Sequence, residues 1–218
     1  MKILSAAAVA AAATAMLIGS ATAAHAGPEA DGQVRAGMSF TTDATSRCTI
    51  GFSVSHSDSG DGFVAAGHCG EIGDRVYVEG VAAGVVAGHS TDTLTWLWVD
   101  LDDGWTALPE VVGGGTVSDG QEAPVGSAVC RAGSTTGWHC GTITAKDVTI
   151  NFPEGSINGV TQTNVCAEPG DTGGPFLSGS SAQGVTIGGS GNCSSGGSTY
   201  FYPLSPILEA AGLTLITG

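Results

Sequence analysis

Positive charge is scarce in this chain. Six lysines and arginines stand against 20 aspartates and glutamates, a net charge of −14. That balance argues against nucleic acid and anionic membrane surfaces as partners. Long apolar runs are lacking too. The stretch Ala6 to Gly19 is too short and wrongly flanked for a membrane span, and no later segment qualifies. There is no Cys-x-x-Cys pair and no histidine at zinc-finger spacing from a cysteine pair. No metal or cofactor is therefore expected. Charged residues amount to only 12% and aromatics to 6%, whereas glycine occurs 36 times. Such a composition suits a compact β protein with many tight turns.

The first 26 residues have the make-up of a signal peptide: Lys2, the apolar stretch, then the small-residue site Ala24-His25-Ala26. Cleavage there leaves 192 residues (218 less 26), enough for one domain or a two-lobed unit. Five basic residues (six less Lys2) then face all 20 acidic ones, a charge of −15. A secreted, monomeric protein is expected. Six cysteines in an exported chain imply three disulfides. Six cysteines allow 15 pairings. Proximity favours Cys48–Cys69, Cys130–Cys140 and Cys166–Cys193.

Short alternating or β-branched runs recur between glycine-rich turns, from Cys48–Val54 to Gln183–Gly188, which predicts an all-β sandwich or barrel set. Only Ser205 to Ala211 looks helical, with Ser205 as the cap and Gly212 just past the end. Gly113 to Gly115 reads as a linker between two halves. The polar loop around Asp58 and Asp61 lacks the spacing of a calcium loop and reads as a surface turn.

Two segments carry chemistry. Phe63-Val-Ala-Ala-Gly-His-Cys69 places His68 among small residues beside a cysteine. An imidazole there can both take and return a proton near neutral pH. Cys166-Ala-Glu-Pro-Gly-Asp-Thr-Gly-Gly-Pro175 contains glycines that permit a tight loop, whose N–H groups can converge on a developing oxyanion. With these segments, with Arg47 to Val54, with Val129 to Ile143 and with Gly188 to Gly197, the chain resembles the chymotrypsin-like serine proteases of bacterial streptogrisin and alpha-lytic protease type.

The resemblance implies two six-stranded antiparallel β-barrels with a cleft between them. It places barrel one at about 37–115, barrel two at about 116–204 and a short C-terminal helix at about 205–212, after a short segment 27–36. It supports the three cysteine pairs and implies that Arg131 is the buried ionic partner of Asp171. Peptide or protein substrates, or protease inhibitors, are the implied partners. Gly170 and Thr172 take the oxyanion-hole positions. Gly188 and Gly189 form the edge that pairs with a peptide, and Ala167 and Thr186 line an apolar pocket. Cys166 stands at the pocket base where trypsin-like relatives keep an acid, so no preference for Lys or Arg is expected. Residues 27–36 leave no room for the large pro-region that many relatives carry.

The chain departs from that pattern at the reacting groups. Thr172 takes the nucleophile position, where serine is the rule. Thr95 takes the aspartate position, and Ile187 replaces the serine whose hydroxyl meets that aspartate. Asp100 points to the opposite face of a period-2 strand from Thr95. Asp92 reaches the ring only if its loop shifts. Threonine adds a methyl and restricts the rotamer; threonine nucleophiles ordinarily use an N-terminal amine as base. Attenuated or lost hydrolysis with a retained peptide-binding cleft is the expectation. Active catalysis by Thr172 with His68 on hydrophobic substrates, and a non-catalytic peptide or inhibitor decoy, are the alternatives.

Overall fold

The computed structural model describes residues 32–43, 47–90, 95–152 and 155–218. The proposed signal peptide and Asp92 lie outside these residues.

In the N-terminal half the strands are β1 (Gly32–Ala36), β2 (Ser39–Thr42), β3 (Cys48–Thr49), β4 (Phe52–His56), β5 (Gly60–Ala65), β6 (Arg75–Val78), β7 (Val81–His89), β8 (Leu97–Leu101) and β9 (Trp105–Val111). The C-terminal half holds β10 (Ala128–Gly133), β11 (Gly137–Phe152), β12 (Gly155–Thr163), β13 (Pro175–Ser178), β14 (Ser181–Asn192), β15 (Gly196–Pro203), helix α1 (Leu204–Ala211) and β16 (Leu213–Leu215). The second half closes into a six-stranded barrel ordered β10-β11-β12-β15-β14-β13. The first half is a barrel-like sheet of eight strands, β16-β4-β5-β8-β7-β6-β2-β3, with β1 and β9 paired beside it. It exceeds the expected six because C-terminal β16 pairs with β4 and because Ile50 and Gly51 divide the run Cys48–Val54 into β3 and β4.

Alternation explains the layers. Phe63 and Leu97 project into a core that also takes Ile157, Val160 and Ile187 from the second barrel. The two halves thus share one apolar interface. Phe40 and Phe63 meet edge to face in this core, with ring centroids 5.1 Å apart. Val64, next to Phe63 on β5, turns the other way and joins Phe52, Val54 and Trp96 in a second core under α1.

Helix α1 forms because Leu204, Ile207, Leu208 and Ala211 repeat at helical spacing and pack on that second core. Gly212 ends it in the left-handed region at φ 64, its N–H bonding to the Leu208 carbonyl. Ser205 is not the cap. The preceding position is Pro203, which offers no side-chain bond, and Ser205 lies inside the first turn. Pro206 is tolerated there because first-turn N–H groups have no intrahelical acceptor. Gly113 and Gly114, in the segment expected as a linker, sit in an exposed turn beside the Trp138 side chain.

Candidate functional site

His68 is exposed on a single 3-10 turn, Gly67–Cys69, whose flanks Gly67 and Cys69 are buried. The disulfide Cys48–Cys69 ties that turn to β3. The other pairs are Cys130–Cys140, across β10 and β11, and Cys166–Cys193.

The loop after Cys166 meets this turn from the second barrel. Its Gly173 has φ 88, and a Cβ there would lie 2.3 Å from the Thr49 carbonyl oxygen and 3.2 Å from the Ala65 Cβ. Glycine is thus required at this approach of the two halves. The Thr49 N–H donates to the Thr172 carbonyl at 2.7 Å, and the Gly173 N–H donates to the Thr186 carbonyl at 2.7 Å. These bonds hold the loop between β3 and β14. The Gly170 carbonyl accepts from the Thr49 and Ser134 hydroxyls at 2.7 and 3.2 Å. Among the described residues, the Gly170 and Thr172 amides donate to no other group.

Asp171 anchors the loop. It and Arg131 are both fully buried, with Arg131 Nη2 3.2 Å from Asp171 Oδ2. The carboxylate also accepts from the Thr135, Thr136 and Glu168 amides at 3.0, 3.0 and 2.9 Å and from the Thr136 hydroxyl at 2.6 Å. Burial pushes the Asp171 carboxyl up, but the Thr136 hydroxyl, the Glu168 amide and the Arg131 guanidinium together hold it below its ordinary value. Burial pulls the Arg131 guanidinium down, with Asp171 opposing. Arg131 Nε donates to the Cys166 carbonyl at 3.1 Å and Nη2 to the Thr136 hydroxyl at 2.7 Å. A Cβ on Gly133 would lie 2.0 Å from Arg131 Nη1 and 2.1 Å from Asp171 Oδ1, so only glycine fits the turn that closes over the pair.

Thr172 is half-buried, and among the described residues its hydroxyl makes no hydrogen bond, to His68 or to any other group. Thr95 is 2% exposed, and its Oγ1 is buried without a hydrogen-bond partner. Its N–H donates to the Ser90 hydroxyl at 3.2 Å. Ile187 is 3% exposed and shares its core with Cys69 and Leu97. The side chain that replaces the expected serine is thus fully packed among apolar groups.

A cavity of about 430 Å³ opens beside Thr172, lined by Ala167, Glu168, Thr186, Gly188 and Gly189 among others. All four expected pocket residues meet there. Cys166, expected at the base, is not in the lining; its sulfur is bonded to Cys193. The acid that does line the cavity is Glu168, which the sequence reading passed over. Its place two residues before Gly170 in the loop was the available signal. His139, Cys166 and Cys193 bring donor atoms within 4.8 Å of one another, but the two sulfurs form a disulfide rather than thiolate ligands.

Comparison with known proteins agrees with this architecture. The family model described as Trypsin matches residues 4–210. Streptogrisin-C of Streptomyces griseus is 49% identical over 195 residues, covering 87% of this chain, which spans only 42% of that relative's length. Protease A of Thermobifida fusca superposes with a TM-score of 0.79 at 46% identity, covering 85% of this chain and 100% of that one. The Cellulomonas bogoriensis chymotrypsin gives 0.77 at 48%, with the same coverage. A closed six-stranded barrel, an eight-stranded partner sheet and a glycine loop packed between them are thus found together with a match along most of the chain: the protein belongs to the trypsin-like serine protease family.

Proposed function

We propose that this is a secreted, monomeric serine-protease homologue in which peptide-bond hydrolysis is strongly attenuated or lost, while the peptide-binding cleft is retained. The observation that carries this reading is Thr172 itself, a secondary alcohol at the position where the resemblance expects the primary alcohol of serine. In this reading His68 is the general base, and Gly170 and Thr172 form the oxyanion hole. Gly188 and Gly189 bind the peptide backbone by strand addition. The aspartate position, Thr95, is neutral and buried. Losing the carboxylate of such a triad costs on the order of 10⁴ in turnover, because the imidazole is no longer held in the useful tautomer. A disabled nucleophile costs up to about 10⁶, and the two losses do not add. The oxyanion hole and binding alone leave roughly 10³ over water. Secretion rests on the first 26 residues and on three disulfides, which persist in oxidising surroundings.

Purified protein assayed on casein and on a chromogenic hydrophobic peptide tests the proposal. Ordinary protease turnover refutes it. The triple variant Thr95→Asp, Thr172→Ser, Ile187→Ser should restore measurable proteolysis, because it returns the acid, its hydroxyl partner and the primary alcohol together.

The intact oxyanion loop favours a second reading, an active endopeptidase that uses Thr172 with His68 and recruits Asp92. Labelling of Thr172 by a fluorophosphonate supports it, and absence of labelling removes it. A decoy role, in which the uncut cleft captures peptides or protease inhibitors, predicts a stable complex with an inhibitor of streptogrisins.

A further inference from the structure

The cavity beside Thr172 has an acidic wall. Glu168 lines it together with Ala167, Thr186, Gly188 and Gly189, and among the described residues no lysine, arginine or histidine takes part. Glu168 Oε1 accepts from the Cys193 N–H at 3.1 Å. Among the described residues, its second oxygen has no partner. The side chain is thus held in place by one oxygen and leaves the other for an occupant. Its own amide donates to Asp171 Oδ2 at 2.9 Å, so the backbone beneath it is fixed as well. The Thr186 hydroxyl donates to the Gly174 carbonyl at 2.9 Å and is not available to satisfy an incoming anion. The glycines opposite carry no side chain to shield the carboxylate, and a Cβ on Gly189 would meet the Ser198 carbonyl oxygen at 2.6 Å.

We propose that Glu168 sets the charge preference of this pocket, which admits neutral and cationic side chains and excludes carboxylates. The proposal rests on the reading of the cavity as the side-chain pocket of a peptide cleft. It reverses the expectation drawn from Cys166, because the acid enters from the wall instead of the base. Two carboxylates brought close together in this half-open pocket repel, and a bound ammonium is attracted. The net charge of −14 acts in the same direction at longer range.

The test is titration calorimetry with three peptides that differ only in the side chain presented to the pocket: norleucine, lysine or glutamate. Wild-type protein and Glu168→Gln are compared. Glutamine keeps a carbonyl oxygen for the Cys193 amide and removes the charge, and equal thermal unfolding of the two proteins verifies the fold. The expected result is that the glutamate peptide binds wild type at least about tenfold more weakly than the norleucine peptide. The lysine peptide should bind at least as well as norleucine. In Glu168→Gln the glutamate penalty should shrink and any lysine advantage disappear. Binding of all three peptides to wild type with equal affinity, or an order unchanged by Glu168→Gln, overturns the proposal and leaves the cleft intact as a binding site. Failure of every peptide to bind either protein overturns the cleft reading, and this proposal with it.

Discussion

One methyl group separates threonine from serine, and in the proposed reading that of Thr172 falls where a carbonyl and an imidazole would have to converge. β-branching fixes χ1 more tightly than in serine, so the oxygen cannot turn freely toward the base. Thr172→Ser should raise kcat/KM on a hydrophobic chromogenic peptide by at least about tenfold, since the hydroxyl regains its rotamers. An unchanged rate would place the defect at Thr95 and Ile187 instead. Thr95 makes a separate prediction. Its buried hydroxyl has no partner, which costs about 1–3 kcal/mol relative to a satisfied group. Thr95→Val should therefore stabilise the fold by about 1 kcal/mol in urea unfolding. A fall in stability would mean that the hydroxyl is satisfied in solution. At this scale the sequence was informative about identity but not about surroundings. It singled out residues 68, 95, 172 and 187 as the expected site positions. It could not disclose that the Thr95 oxygen is unpaired, because that depends on which atoms the fold leaves near it.

Among the elements, the turn between β10 and β11 anchors the loop after Cys166. Gly133 to Thr136 closes over Arg131 and Asp171 and supplies three of the bonds that keep the carboxylate ionised. Because Asp171 titrates below its ordinary value when folded, its stabilising contribution is complete above the unfolded value of about 4 and is lost as pH falls through the lower, folded value. Asp171→Asn at pH 7 should cost about 3–5 kcal/mol, because the Arg131 charge is left buried without compensation. The gap between variant and wild type should narrow on acidification into that range, as measured by urea unfolding at a series of pH values. A gap independent of pH would show that the carboxylate is not ionised in the fold. The pairing of Arg131 with Asp171 was implied by resemblance alone. The Thr135 and Thr136 contributions were not legible, because they arise where the turn and the loop, 35 residues apart, fold onto each other.

At the scale of the whole molecule, the two sheets meet through one apolar interface, and both halves of the site are mounted on it. The Cys48–Cys69 bond fastens the His68 turn to β3, whose Thr49 holds the opposite loop. It closes a separation of 21 residues. Replacing both cysteines by alanine should lower stability by about 3 kcal/mol on the chain-entropy account, read as a reduced melting temperature. No change would mean that packing alone secures the turn. Sequence by itself determined the all-β class and the helix at the C-terminus, because alternation, glycine turns and short-range motifs are local properties of the chain. Only the tertiary structure decided that the first sheet recruits β16, that Ser205 is no cap and that Glu168 walls the pocket. Each of those depends on which distant segments come to lie side by side, and a linear pattern of side chains does not specify those contacts.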